Sequence, residues 1–152
     1  MLVFKRVTTA AEAEMLRVIR NKCKDYMTRS TDYITPEQQQ EWFKTAYKKY
    51  ELYIAYVVEH GAVVVDAGFG VIHLEDDEYL LTGGLVPEYR DKGLGTPLFK
   101  FLVDNCNKQQ PIRLEVLKTN TRAFKTYEKL GFVITSEDER IYTMEYKYDS
   151  VI

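Results

Sequence analysis

The chain has 152 residues, of which 45% are hydrophobic and 29% charged, and its formal net charge is −2 at pH 7. This length and apolar content fit one domain over residues 1–152 with its own core, and they exclude a chain that is disordered throughout. The balanced charge argues against nucleic acid as a partner, and two cysteines, Cys23 and Cys106, cannot make a disulfide framework or a four-cysteine metal site.

Strand and helix signals alternate along the chain. Hydrophobic periodicity, capping residues and turn residues predict a strand at 2–7, helices at 9–22 and 35–47, strands at 52–59, 67–74 and 78–86, a helix at 96–106, a strand at 112–117, a helix at 120–130, and strands at 133–135 and 141–148. His60 and Gly61 are expected in the turn before the third strand. This order predicts an α/β (α+β) protein with helices packed on a mixed sheet.

The chain carries no targeting or membrane signal that we can identify. Charged residues occur within the first six positions, and no apolar run approaches the ~20 residues that span a bilayer. With two cysteines, the expected location is the reducing cytoplasm, away from the membrane, and no metal is expected.

A glycine-rich loop before the third helix is the strongest chemical signal. It runs from Pro87 to Pro97 with the sequence PEYRDKGLGTP. Two glycines let the backbone approach a ligand closely, and helix polarity adds positive charge where the first amides of the helix converge. Arg90 and Lys92 are expected to add mobile positive charge, so the loop suits phosphate groups. The alternative is an ordinary turn with solvated charges.

The helix predicted from Asn120 carries the second signal. Asn120, Ala123 and Tyr127 fall on one face, where the small Ala123 permits close approach and Tyr127 can present its hydroxyl. The alternative is an ordinary amphipathic helix with an asparagine cap and a glycine stop at Gly131.

Together the two signals resemble the acetyl-CoA-binding half of the GNAT N-acetyltransferases. The matching pattern is PEYRxxGxG from Pro87, LEV at 114–116 and NxxAxxxYxxxGF from Asn120, and the likeness is specific over about residues 78–132. It implies the GNAT fold, a mixed central sheet of about seven strands that splays between strands 4 and 5, with about four helices. It also implies direct transfer of the acetyl group of acetyl-CoA to a primary amine in a ternary complex. The amine would belong to a peptide, a protein or a small molecule such as an amino sugar.

The resemblance also implies which residues bind acetyl-CoA. Loop amides would hold the pyrophosphate, and these belong to Arg90, Asp91, Lys92, Gly93, Leu94, Gly95 and Thr96. Backbone groups of Leu85 and Val86 would bind the pantetheine arm, and one of their N–H groups would stabilise the oxyanion. Asn120 would contact the pantetheine or shape the splay. Tyr127 would donate a proton to the departing CoA thiolate.

The attacking amine must be neutral, so a general base or a water chain is expected. Glu115, in the LEV match at the end of the fifth strand, is the best candidate, because a carboxylate in a half-buried cleft can have a raised pKa. The alternative is a structural carboxylate paired with backbone or an arginine. Glu78 and His73 are weaker candidates.

The acceptor site has a weaker signal, and an ordinary amphipathic helix pair explains much of it. The candidates are Tyr33, Trp42, Thr82 and Gly83. Aromatic side chains suit a sugar or nucleotide face, and the paired glycines at 83–84 are expected to leave unusual space. The acidic stretch at 75–78 could attract a polyamine or a lysine-rich peptide, although it is more often a solvated hairpin.

Two functional classes remain open from the sequence. One is the acetyl-CoA-dependent enzyme, and the other is a catalytically inactive GNAT-fold module that binds CoA or regulates. The β-prone segment 141–148 could pair two copies at a sheet edge, so a homodimer and a monomer are both compatible with the sequence.

Overall fold

The computed structural model describes residues 1–29, 31–59, 61 and 63–147. Within these ranges there are seven strands and four α-helices, namely β1 (Leu2–Arg6), α1 (Ala10–Lys22), α2 (Pro36–Lys49), β2 (Tyr50–Glu59), β3 (Val63–Glu75), β4 (Glu78–Leu85), α3 (Gly95–Asp104), β5 (Ile112–Leu117), α4 (Thr121–Leu130), β6 (Phe132–Glu137) and β7 (Ile141–Tyr146). The predicted order is confirmed. Two predicted positions, His60 in a turn and Tyr148 at a strand end, lie outside the described residues.

Local sequence signals explain where the helices begin and end. The Thr9 hydroxyl accepts a hydrogen bond from the Glu12 N–H and the Glu12 carboxylate accepts one from the Thr9 N–H, which closes a capping box on α1. Thr35 makes the same box on α2, with proline at the first helical position. Gly131 ends α4 with a φ of 106°, a left-handed conformation that favours glycine.

The strands form one sheet with the order β1-β2-β3-β4-β5-β7-β6. Alternate residues of β2 point to opposite faces, so Leu52 and Ile54 pack in one core with α1 and α2, whereas Tyr53 and Ala55 pack in the other with α3 and α4. Both faces of the central strands are therefore covered, which explains the nearly continuous apolar sequence of β2.

The sheet divides between β4 and β5, its one parallel pair among the described strands. These strands pair at only three positions, where Tyr79–Leu81 meets Ile112–Leu114. Beyond them β4 follows β3 to Leu85 and β5 follows β7 to Leu117. The predicted splay between strands 4 and 5 is confirmed, and it opens a gap at this end of the sheet.

Several element bounds differ from the prediction. The third strand begins at Val63 rather than 67, because three consecutive valines extend it into the hairpin with β2. The third helix runs from Gly95 to Asp104 rather than from 96 to 106. The acidic stretch 75–78 is a tight hairpin turn with Asp76 and Asp77 at φ values of 52° and 61°.

No helix in the described ranges is long and apolar enough to cross a membrane.

Candidate active site

A cavity of about 660 Å³ opens where β4 and β5 separate. Its walls come from the end of β4, the glycine-rich loop, the start of α3, α4, and the end of α1 with the segment after it. The predicted site residues that line it are Trp42, Thr82, Gly83, Leu85, Arg90, Asp91, Gly93, Leu94, Gly95, Glu115, Asn120 and Tyr127. Tyr33, Val86, Lys92 and Thr96 are outside this lining. The fold thus brings together residues from distant parts of the chain.

The backbone of β4 presents alternate residues to the cavity. The Val86 N–H donates to the Ala67 carbonyl oxygen of β3 at 2.9 Å, and the Val86 carbonyl oxygen accepts from the Tyr89 N–H at 2.9 Å. Both backbone groups of Val86 are therefore used inside the fold, and the predicted role of Val86 as a ligand-binding donor is wrong. In an antiparallel ladder alternate residues point away from the partner strand, so the N–H groups of Gly83 and Leu85 face the gap.

The paired glycines do not leave the space that the sequence suggested. A Cβ atom at Gly83 would lie 3.2 Å from the ring of Phe99, and one at Gly84 would lie 3.2 Å from the Cβ of Cys23. Neighbouring side chains already fill the positions that side chains would take. The glycines instead allow α3 and the end of α1 to pack closely against β4.

The loop between β4 and α3 has a backbone suited to an anion. Asp91 and Gly93 have φ values of 63° and 75°, in the left-handed region. The first N–H groups of any α-helix have no intrahelical acceptor, and among the described residues no side chain caps the start of α3 in place of one. Helix polarity adds partial positive charge there, which is the arrangement that binds phosphate groups in many proteins.

Arg90 is a fixed group rather than the mobile charge that the sequence predicted. Its Nε donates to the Leu85 carbonyl oxygen at 3.0 Å, and its terminal nitrogens lie 3.3 Å from the Asp25 carboxylate. The guanidinium also lies 4.4 Å from the centre of the Tyr26 ring. Arg90 therefore joins the loop and β4 to the short 3-10 helix Lys24–Tyr26 that follows α1. Lys92 points elsewhere, with its ammonium 5.3 Å from the centre of the Tyr89 ring.

The first half of α4 forms the opposite wall. The Asn120 Oδ1 accepts from the Ala123 N–H at 3.3 Å, so Asn120 caps the helix as well as lining the cavity. Arg122, which the sequence interpretation missed, also lines the cavity and forms an ion pair with Asp91 at 2.8 Å. A basic residue in the first turn of the helix that Asn120 caps was the signal that could have found it.

Tyr127 lies deep in the same wall. It is 7% exposed, and its ring packs 4.7 Å from the ring of Phe99 and 6.1 Å from that of Phe132, measured between centroids. Burial raises the pKa of the Tyr127 hydroxyl above its ordinary value. The hydroxyl therefore keeps its proton through the neutral range, as a proton donor must.

Glu115 is held in an ion pair, and the expected rise in its pKa is wrong. Arg29 binds its two oxygens at 2.9 and 3.0 Å, and the Thr28 hydroxyl donates to it at 3.1 Å. The hydrogen bond from Arg29 outweighs desolvation and lowers the pKa of Glu115. This geometry agrees with the structural alternative, in which the carboxylate ties the segment after α1 to β5.

The weaker base candidates lie outside the cavity lining. Glu78 pairs with Arg113 at 3.0 Å, and the His73 ring lies 4.2 Å from the Tyr50 ring between centroids, tilted by 35°. The acidic turn at 75–78 likewise contributes no residue to this lining.

A second cavity of about 550 Å³ lies on the α1–α2 side. It shares Arg20, Trp42 and Thr82 with the first cavity, so the two cavities are neighbours. Tyr33 lines only the second, where it is 56% exposed. Three of the four acceptor candidates thus lie together in the second cavity, and Gly83 lies in the first. Arg20 was missed by the sequence interpretation, because it reads as one more polar residue in an amphipathic helix.

Groups suited to a metal ion are absent from the described ranges, in which no three His, Cys, Asp or Glu side chains come together. Cys23 and Cys106 are both buried and unbridged. Burial raises the pKa of the Cys23 thiol to about 11, so it is protonated and unreactive at neutral pH.

Comparison with known proteins gives a family match. The family model described as an acetyltransferase (GNAT) domain matches residues 21–143. No curated protein gives a significant match to the chain.

Solved structures with a similar fold have low sequence identity to the chain. A spermidine N-acetyltransferase from Vibrio cholerae, in complex with CoA and spermine, is 15% identical with a TM-score of 0.77, covering 95% of this chain and 94% of that chain. AAC(6')-Ib in complex with ribostamycin and coenzyme A is 21% identical with a TM-score of 0.74, covering 97% and 93%. Campylobacter jejuni N-acetyltransferase PseH, in complex with acetyl coenzyme A, is 18% identical with a TM-score of 0.70, covering 98% and 100%. At these identities the likeness concerns the fold.

Proposed function

The chain belongs to the GNAT acetyltransferase family, and we propose that it transfers the acetyl group of acetyl-CoA directly to a primary amine in a ternary complex. The observation that carries the proposal is the gap between β4 and β5, because an anion-binding loop, outward-facing N–H groups of β4 and a buried tyrosine all line one cavity. Structural neighbours that bind CoA or acetyl coenzyme A support this choice of donor.

The residues present fit acetyl-CoA. The uncapped start of α3 and the left-handed turn at Asp91 and Gly93 suit the pyrophosphate. Arg122 lies beside them, and its ion pair offsets the negative charge of Asp91 in the loop. The outward-facing backbone of Gly83 and Leu85 suits a pantetheine amide, which can bond to a strand edge as another strand would.

The chemistry follows from what these groups can do. Acetyl-CoA supplies an activated thioester, whose C–S bond breaks as the amine nitrogen forms the new N–C bond. In this scheme the N–H of Leu85 or Gly83 stabilises the oxyanion, since the Val86 N–H already donates to β3. Tyr127 donates its proton to the departing sulfur, the proton lost by the amine passes to solvent, and Tyr127 regains a proton from solvent. No protein nucleophile is needed in this scheme.

A thiol-release assay with a panel of amines tests the proposal. The panel contains amino sugars, aminoglycosides, polyamines, amino acids and peptides, and the measured quantity is free CoA released per enzyme. Acetyl-CoA is also expected to raise the melting temperature. Stabilisation without thiol release for any amine would support the inactive CoA-binding module instead. Absence of stabilisation by both acetyl-CoA and CoA would overturn the two functions together.

Location and assembly complete the proposal. Two buried, unbridged cysteines fit a reducing cytoplasm. A homodimer through the C-terminal strands would cover Val133 and Ile134, which are each 43% exposed on the edge strand β6. Sedimentation equilibrium distinguishes the dimer from a monomer.

A further inference from the structure

An arginine side chain, Arg20, lies where the two cavities meet. Arg20, in the last turn of α1, lines both cavities together with Trp42 and Thr82. An inference about the acceptor can be drawn from this position, and it rests on the transferase function proposed above.

The surroundings of Arg20 in the second cavity are largely apolar and aromatic. Phe69 and Val71 line this cavity, and Trp42 lies 5.5 Å from Tyr50 between ring centroids. Arg20 is half-buried, so its charge is partly withdrawn from water, and this burial lowers the pKa of its guanidinium. A cation in such surroundings interacts strongly with an anionic ligand, because few water molecules screen it.

The carboxylates of the described lining residues do not make these cavities acidic. Glu115 is paired with Arg29 and Asp91 with Arg122. Asp32 is an exposed residue on the second cavity. The acidic turn at 75–78 is elsewhere. A polycationic acceptor such as a polyamine would therefore meet a half-buried arginine, and the described lining offers it no cluster of acidic side chains.

We propose that the acceptor is a small primary amine that also carries a carboxylate, an amino acid with an apolar side chain. The Arg20 guanidinium binds the carboxylate, for which its planar fork is well suited. The apolar side chain packs on Trp42 and Phe69. Thr82, which lines both cavities as Arg20 does, is one residue, or about 3.3 Å along β4, from Gly83, whose N–H faces the first cavity. One small molecule can therefore reach both Arg20 and the site of transfer.

Matched acceptors test the inference directly. Thiol release is measured for the apolar L-amino acids and for the carboxamide of each, which keeps the amine and the side chain and removes the negative charge. We expect kcat/KM for at least one amino acid to exceed that of its amide by about tenfold or more, since a charge-assisted pair is lost. Equal or better use of the amides, or of spermidine and kanamycin, would overturn the inference and leave the transferase function intact.

An Arg20 variant assigns the effect to this residue. Arg20→Gln is expected to remove the preference for acid over amide, by lowering kcat/KM for the amino acid alone. Lys22→Gln removes the same charge from an exposed position of α1 outside both cavities, and it should keep the preference. Preserved stabilisation by acetyl-CoA shows that Arg20→Gln folds. An equal loss on both acceptors would contradict the proposed contact.

Binding can be measured separately from turnover, because Trp42 is the single tryptophan of the chain and lies between the cavities. The preferred amino acid is titrated with CoA present and no acetyl donor, and its dissociation constant is read from the tryptophan fluorescence. We expect that constant to be at least tenfold lower for the wild type than for Arg20→Gln. Such binding without thiol release for any amine would uphold the acceptor inference and overturn catalysis. Equal binding by the two proteins would overturn the inference.

Discussion

The donor side and the acceptor side of the cavity are built in different ways. The proposed donor side offers backbone N–H groups of one short loop and one helix start, together with a strand edge. The acceptor side uses side chains from α1, α2, β3 and β4, such as Arg20, Trp42 and Thr82. Backbone groups can bind the same ligand in many sequences as long as the glycines remain, whereas a side-chain pocket changes with each substitution. The donor side is therefore recognisable in a sequence and the acceptor side is specific to the chain.

The two sides are nevertheless linked by ion pairs. Arg90 joins the donor loop to Asp25, and Arg29 joins the segment after α1 to Glu115 on β5. Substitutions can therefore test whether a residue affects the binding of acetyl-CoA, the KM for the acceptor, or both.

The largest effect is expected from Tyr127→Phe. Removing the proton donor should lower kcat by about 100-fold or more while the affinity for acetyl-CoA stays nearly constant, because the ring packing is kept. Steady-state kinetics and a thermal shift measure the two quantities. Tyr142→Phe is the matched control, since that residue lies outside the cavity. A kcat close to that of the wild type would show that another group protonates the sulfur.

Arg90→Met is expected to affect both sides. It removes the bonds to Leu85 and Asp25 together, so we expect about tenfold weaker binding of acetyl-CoA and a higher KM for the acceptor. Lys92→Met removes the same charge from the loop without these bonds and should have a smaller effect. Equal effects of the two variants would mean that only the net charge of the loop matters.

Glu115→Gln separates a base from a structural carboxylate. Arg29 lowers the pKa of Glu115, so the ion pair is present above the unfolded-state pKa and is lost only as the pH falls through the lower folded-state value. We therefore expect a several-fold higher KM for the acceptor, because the segment with Thr28 and Arg29 lines the cavity. The shape of the pH–rate profile between about pH 6 and 9 should stay unchanged. Loss of an ionisation from that profile would restore Glu115 as the base.

The smallest effect is expected from Gly93→Ala. Gly93 and Gly61 both have a φ of 75°, and apart from their chain neighbours no atom of the described residues lies within 4 Å of an added Cβ at either position. Each alanine should cost about 1 kcal/mol through backbone strain, a fall of roughly 2–4 °C in the melting temperature. Gly93→Ala alone should also reduce the stabilisation by acetyl-CoA. The same reduction in Gly61→Ala would show that the loop backbone has no special role.

The sequence predicted features that depend on neighbouring residues. The capping boxes at Thr9 and Thr35, the stop at Gly131 and the glycine-rich loop each arise from a few adjacent positions. The order of elements and the splayed sheet followed from these signals and the family resemblance.

Features that depend on distant residues were missed. Glu115 has a lowered pKa because Arg29, which is 86 positions away in the chain, reaches it across the cavity. Arg90 is fixed by Asp25, which is 65 positions away. The Val86 N–H donates to the Ala67 carbonyl oxygen because of the register between β3 and β4. None of these pairings is visible in the local pattern of the chain.

The short pairing between β4 and β5 also bears on how the chain folds. The hairpins β2–β3, β3–β4 and β6–β7 join strands that are adjacent in sequence, so their loops close at low entropic cost. The three pairs between 79–81 and 112–114 join strands separated by a loop and the whole of α3. Contacts between distant residues form slowly, so these hairpins should become ordered before β4 joins β5. The three pairs that close the inner end of the gap would then form late in folding.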